Sequence, residues 1–388
     1  MIFENVDAVV NIVLTGICLF SAHLLMLRRR DPGVYLPLAL LFLFQGVSTG
    51  FAVLAETYDP ANAGLLSRIN LVTGALEIAT PFLFWVYVRA LTTEGQAERI
   101  PKLRNHIVPI VLVTLCFWSL LFLPVDLQET ELNDEDTRLF AVVLVILAVL
   151  VADVVFKLMI GIYVYLTVRR LVAYQSRLKD VFASTENREL TWVWVILASA
   201  GFYLCVNLAF TVLISFGVIS EQRYEAEMST LHSLAVLALF WVIGVWGLRQ
   251  RPGLVRQTES DAPEPELPPA QKYEKSALDH DRAERIARKI EAAMAKDLLY
   301  RAPDLSLWDL AKHIGVTSHY VSQTLNTHLG KSFFELVNGW RIKDAVTQLT
   351  TTDATILGIA YDVGFNSRSA FYKAFRRETG KTPSDLRR

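Results

Sequence analysis

Seven apolar stretches, each about as long as a helix needs to cross roughly 30 Å of hydrocarbon, dominate the first two-thirds of the chain. They run over about 6–27, 34–55, 70–92, 107–124, 139–168, 191–218 and 229–248. In lipid an open strand leaves its backbone groups unpaired, so each stretch must be a helix or part of a closed barrel, and unbroken apolarity favours helix. A composition of 53% hydrophobic and 20% charged residues, with mean hydropathy +0.34, excludes a disordered chain and argues against an ordinary soluble enzyme. Cys18, Cys116 and Cys205 all fall inside these stretches, which reads as small buried hydrophobes rather than a disulfide frame or a metal cluster.

The connecting loops set the orientation, because Lys and Arg accumulate on the cytoplasmic side. Alternate loops, with Arg28–Arg30 at one end and Arg249, Arg251 and Arg256 at the other, hold fifteen basic residues; the intervening loops hold Arg68, Arg138 and Arg223. The N-terminus is therefore expected outside and the C-terminus in the cytoplasm. The first stretch lacks a basic leader and is followed by a basic triplet, so it reads as a spanning helix rather than a cleaved signal.

Ionisable residues inside spans are costly and so point first to function. Glu77, four residues before Pro81, suggests a pocket open to the outside or a carboxyl that joins helices. Asp153 and Lys157, an i, i+4 pair, can neutralise each other on one helix face, with the lysine reaching toward the headgroups. These three are the candidate sensing residues. Gln45, Asn207, His23 and His232 read as links between helices. The small-residue pair Gly46 and Gly50 would allow close helix packing, and Tyr163, Tyr165, Trp192, Trp194 and Trp246 fit interfacial belts. No metal, cofactor or catalytic constellation is expected in this half.

From about 250 to 280 the composition changes to prolines and charges (Pro263, Pro265, Pro268, Pro269), which reads as a disordered linker. About thirty such residues span on the order of 30 Å, so the last segment is tethered beneath the membrane. That segment, 281–388, is amphipathic. Ile286, Ile290, Ala293 and Met294 recur at helical spacing. Ser306 with Asp309 then resembles a capping box opening a short helix closed by Gly315, and Thr317 or Ser318 opens another, closed by Gly330. Thr355, Gly364, Ser367 and Gly380 repeat the arrangement about fifty residues on, with a longer helix, 333–349, as spacer. Two short helices about a glycine turn are the helix-turn-helix arrangement, and its repetition is more specific than one copy.

The stretch from Leu305, LSLWDLAKHIGVTSHYVSQTLNTHLGKSFFELVNGWRIKDAVTQL, and more specifically ILGIAYDVGFNSRSAFYKAFRRETGKTPSDLRR at its end, resembles the double helix-turn-helix DNA-binding domain of the AraC/XylS transcription regulators. With KYEKSAL at 272–278 before it, the chain resembles the membrane-anchored branch of that family, over about a quarter of its length. Gly358 departs from the helix-favouring residue often found there, at a cost of about 1 kcal/mol if it sits mid-helix. The resemblance implies double-stranded DNA as partner, contacted by each chain in two successive major-groove segments, with a homodimer extending this to repeated half-sites.

In each unit the second helix should enter the major groove. Spacing puts Val321 and Leu325 inward and His319, Ser322, Gln323 and Asn326 outward, where Gln and Asn suit adenine. In the second unit Phe371 and Phe375 face inward; Arg368, Ser369, Tyr372 and Lys373 face outward. Arg368 suits guanine, while Lys373, Arg376, Arg377 and Lys381 suit phosphates. Residues 280–388 carry 17 basic and 12 acidic groups, so the chain's overall charge of -1 averages a basic soluble part with an acidic apolar one.

The sequence thus predicts an all-α protein: a seven-helix transmembrane domain (1–249), a linker (250–280) and a cytoplasmic double helix-turn-helix domain (281–388). It reads as a one-component transcription regulator of the bacterial inner membrane, not an enzyme, that couples a small-molecule or lipid signal to promoters through association of its membrane helices. The competing reading is a membrane enzyme or transporter with an attached DNA-binding reporter; mere anchoring would need fewer than seven spans.

Overall fold

The computed structural model describes residues 2–28, 32–57, 63–93, 104–122, 137–186, 188–218, 221–250, 253–254 and 280–387. Among them the chain is all-helical apart from one isolated antiparallel bridge, Phe182 to Ser306. The linker expected over 250–280 lies almost entirely outside the described residues.

Two compact units divide the chain. The first comprises 1–171 and 191–255, the second 172–190 and 256–388. The first holds α1 (Ile2–Met26), α2 (Pro32–Thr57), α3 (Ala63–Gly74), α4 (Thr80–Leu91) and α5 (Arg104–Trp118). It continues with α6 (Thr137–Val181), whose last turns belong to the second unit, then α7 (Thr191–Ser215) and α8 (Glu221–Arg249). Seven helical segments among the described residues are long and apolar enough to cross a membrane. The third segment is interrupted by a 3-10 turn, Ala75–Ala79, where the backbone tightens just before Pro81.

Large apolar side chains point outward all along these helices: Phe20 is 64% exposed, Leu158 61% and Phe202 71%. Water penalises such a surface by about 25 cal/mol per Å² of apolar area, whereas hydrocarbon does not. Inside, packing is close where side chains are small. A Cβ on Gly46 would sit 3.1 Å from the Cβ of Cys18, and one on Gly50 3.3 Å from Thr15, so this glycine pair of α2 does lie against α1. The belt expectation fails for two residues. Tyr163 and Trp192 are buried, Tyr163 among Phe82, Trp85 and His106, because aromatic neighbours from α4 and α5 cover it. Tyr165 and Trp246 are exposed as expected.

The second unit holds α9 (His280–Ala295), α10 (Leu307–Ile314), α11 (Ser318–Gln323), α12 (Phe333–Thr351), α13 (Ile356–Asp362), α14 (Arg368–Thr379) and α15 (Pro383–Leu386). One core gathers Ile286, Ile290, Leu310, Val321, Leu325, Phe333 and Val337. The other gathers Ile342, Leu349, Ile359, Phe365, Phe371 and Phe375. The single helix α12 contributes to both, which makes it a shared wall. In this grouping residues 172–190, expected with the apolar half, join the second unit. The physical reason is that α6 continues past the apolar stretch, since RRLVAYQSRLKD is charged but still helix-forming, and the loop after it bonds to Leu305.

Candidate nucleic-acid interface

Each helix-turn-helix unit is built by local chemistry. Ser306 accepts from the Asp309 amide at 3.2 Å, and Asp309 in turn accepts from the Ser306 amide at 3.0 Å. This reciprocal box starts α10 and is worth on the order of 1 kcal/mol. Gly315 at φ +64° ends the helix in the left-handed region that a Cβ disfavours. Thr317 precedes α11 but makes no side-chain cap bond. In the second unit Thr355 caps α13 by accepting from the Gly358 amide at 3.0 Å, and Ser367 caps α14 by accepting from the Ala370 amide at 3.2 Å. Gly358 is therefore not a mid-helix weak point. It lies in the first turn, where a Cβ would come 3.0 Å from the capping Thr355 oxygen.

The inward and outward sets separate as the spacing predicts. Val321, Leu325, Phe371 and Phe375 are at most 1% exposed. His319 and Asn326 on the first unit are exposed, with Ser322 and Gln323 half-buried; on the second unit Arg368, Ser369, Lys373, Arg376 and Arg377 are exposed and Tyr372 is half-buried. Tyr372, Lys373, Arg376 and Arg377 line one groove with Thr382. Arg368 stacks over the Tyr372 ring at 5.1 Å, which holds the guanidinium at the start of α14.

Several details were not visible in the sequence. After Gln323 the chain winds as a π turn, Thr324–His328, so Asn326 leaves the regular α-helical face on which Ser322 lies. Thr324 is fully buried and donates to the Tyr320 carbonyl at 2.8 Å. Arg377 is engaged inside the molecule: it donates to Glu378 at 2.9 Å and lies over the Phe334 ring at 5.3 Å. Arg282 of α9 lies 4.0 Å over the Tyr320 ring and adds a cation beside α11. Helical spacing alone had assigned α9 only a core face.

The two units are held to each other through α12. Arg341 is fully buried and donates to the carbonyls of Tyr300 and Ala302, each at 2.8 Å. Its guanidinium also lies 5.4 Å from the centre of the Phe365 ring, in the turn of the second unit. Burial pushes it down to about 10, which leaves it protonated at neutral pH. Asp344, one turn on, accepts from Arg301 at 2.8 Å and from Tyr300 at 2.9 Å. Burial raises the Asp344 carboxyl, but hydrogen bonds from Gln348, Tyr300 and Arg301 outweigh it and hold the group below the usual range. Glu335 is also held low, first by the backbone and side-chain bonds of Ser332 in the capping box of α12.

Of the three candidate sensing residues, Glu77 accepts from Gln45 at 3.0 Å, joining the 3-10 turn to α2. Lys157 donates to Asp153 at 2.6 Å and to Thr211 of α7 at 3.3 Å. Among the described residues no set of His, Cys, Asp and Glu is arranged to hold a metal.

Residues 310–388 match a helix-turn-helix domain family. An uncharacterized HTH-type transcriptional regulator of Staphylococcus aureus (strain COL) is 33% identical over 112 residues, which is 29% of this chain and 14% of that protein. A Streptomyces lividans protein named as an AraC-like transcription regulator is 35% identical over 99 residues, 25% of this chain and 32% of its own. The chain thus spans about a seventh of the first relative and a third of the second. Among solved structures, the C-terminal domain of the response regulator AraT from Geobacillus stearothermophilus is 27% identical, covering 26% of this chain and 82% of that one, with a TM-score of 0.24.

Proposed function

We propose that this chain, whose C-terminal segment is an AraC-type helix-turn-helix domain, is a one-component transcription regulator embedded in the bacterial inner membrane. The observation that carries the DNA-binding half is the pair of capped units, 305–330 and 355–380, each with a buried apolar face and an exposed polar one on its second helix. His319, Ser322, Gln323 and Asn326 from one unit and Arg368, Ser369 and Tyr372 from the other offer base contacts, while Lys373, Arg376 and Arg377 offer phosphate contacts. A homodimer would place four such helices on repeated half-sites.

Embedding in the bilayer rests on seven apolar helices and their outward apolar side chains. The excess of Lys and Arg in alternate loops supports a cytoplasmic C-terminus, where DNA is. A membrane or extracytoplasmic signal would act by differential affinity for two states of the helices. Glu77, Asp153 and Lys157 already satisfy one another or their neighbours, which fits joints between helices better than a transport relay.

Mapping the genomic DNA crosslinked to the full chain in its own membrane tests the reading. Discrete sites, lost when Gln323→Ala and Arg368→Ala are combined, are expected. Enrichment that is absent, or unchanged by the double substitution, contradicts it.

A further inference from the structure

The loop between the fifth and sixth apolar helices is built into the DNA-binding domain. Its first residues pair with the domain's backbone: the Ala183 amide donates to the Leu305 carbonyl at 3.0 Å, and Phe182 bridges Ser306 in antiparallel fashion. Ala183 is 1% exposed and belongs to the same core as Ile290, Leu310 and Val337. From the other side, Asn338 of α12, itself buried, donates to the Ala183 carbonyl at 3.1 Å. Phe182 meets Trp308 edge-on at 5.7 Å, and Ser184 donates to the Pro303 carbonyl at 3.0 Å. A loop that merely brushed a neighbouring domain would not bury an alanine in its core and satisfy both of that residue's backbone groups.

What the loop touches matters as much. It lands on 303–308, and residues 300–304 are also where the second unit is seated. Asn366 donates to Asp304 at 3.3 Å. The turn at Gly364 lies so close that a Cβ there would come 2.7 Å from the Arg301 carbonyl oxygen. Arg341 completes the relay, bonding Ser184 at 3.2 Å and the Tyr300 and Ala302 carbonyls, with Phe365 against its guanidinium.

We propose that residues 182–186 form a docking strap through which the membrane helices set the mutual orientation of the two helix-turn-helix units. The idea rests on the regulator reading above and supplies its route of coupling. α6 runs unbroken from Thr137 to Val181, and α7 begins at Thr191, so the strap continues directly from one apolar helix and lies a few residues before the next. A shift or turn of α6 moves Phe182–Ser184. That displaces the 300–304 segment, and the spacing of α11 and α14 on DNA changes with it. The path needs neither transmission through the proline-rich segment nor a change in oligomeric state.

A cleavage experiment tests the strap on the full chain in membrane vesicles. A site-specific protease sequence placed within 262–269 is cut, and the vesicles are sedimented. With the strap docked, the cut C-terminal fragment sediments with the membrane; with Ala183→Asp it moves to the supernatant. A wild-type fragment released on cutting overturns the strap, and so does an Ala183→Asp fragment that stays. The uncut proteins are then titrated with two duplexes derived from one mapped genomic site, one covering both major-groove segments and one covering a single segment. Ala183→Asp is expected to weaken binding to the long duplex at least tenfold and to leave the short one within twofold. Equal weakening on both, or none on the long one, contradicts control of orientation. A wild-type chain that binds neither duplex overturns the DNA-binding reading instead, while sedimentation still decides the strap.

Discussion

Arg341 donates to Ser184 at 3.2 Å, across 157 positions of sequence. The same side chain bonds the Tyr300 and Ala302 carbonyls, so one buried cation gathers the strap, the loop before α10 and, through Phe365, the second helix-turn-helix unit. Removing it would take that donor from the buried Tyr300 carbonyl, at about 1–3 kcal/mol, and leave the exposed Ala302 carbonyl with only the Leu305 amide, besides emptying the space of a fully buried side chain. Arg341→Ala is expected to destabilise the C-terminal domain by about 3 kcal/mol or more, read by pulse proteolysis of the full chain in membranes. Arg341→Lys would recover little, because one ammonium cannot reproduce the planar fork. A full recovery by lysine would show that charge alone matters.

The two unit turns separate conformational cost from steric cost. Gly315 has φ +64° with open space where a Cβ would go, so Gly315→Ala should cost about 1–2 kcal/mol from the left-handed backbone alone. At Gly364, φ is +96° and the new Cβ would meet the Arg301 carbonyl oxygen at 2.7 Å. Gly364→Ala should cost about 2 kcal/mol more than Gly315→Ala, since backbone must move to admit it. Denaturant midpoints of the two variants make the comparison, and equal midpoints would dispose of the close approach.

Base-reading and phosphate-binding side chains should fail differently. Arg368→Ala is expected to lose about 1–3 kcal/mol on the best site and to relax preference at one base position. Lys373→Ala should weaken all sequences alike and lower the slope of log K against log salt by about 1. Arg377→Ala should do less, because Arg377 is already paired with Glu378 and seated on Phe334. Binding titrations at three salt concentrations, on specific and random duplexes, distinguish these patterns.

Acid should loosen the domain through Asp344 and Glu335. Both carboxyls are held below their ordinary range in the folded protein, so their contribution is complete above the unfolded carboxylate range. It disappears as pH falls through the lowered folded values. Replacing Glu335 by Gln should flatten part of that acid-side loss in a stability-against-pH profile while leaving the alkaline side unchanged. An unaltered acid limb would mean that the α12 capping box does not titrate as its bonding implies.

What the sequence revealed, and what it hid, divides by distance along the chain. Ser306 with Asp309, Thr355, Ser367 and the closing glycines act within one turn, so their pattern predicts the helix ends they make. Hydropathy likewise marks the seven segments long and apolar enough to cross a membrane, because transfer free energies add residue by residue. The strap has no local signature, because Ala183 and Asn338 are 155 positions apart and neither residue type announces a contact. Helix α6 runs on beyond the apolar stretch at 139–168, since charge ends an apolar run without ending a helix. The π turn at Thr324 and the seat of Arg282 on Tyr320 depend on tertiary packing that no local spacing encodes.

The most direct test of the central claim is a hydroxyl-radical footprint of the vesicle-borne full chain on a mapped genomic site. Two units joined by α12 predict a pair of protected segments for each bound chain, on one face of the duplex and about one helical turn or ~10 bp apart. Arg368→Ala should remove only one of each pair. A single protected segment in the wild type, or protection spread evenly along the DNA, would contradict a regulator that reads its promoter with both units.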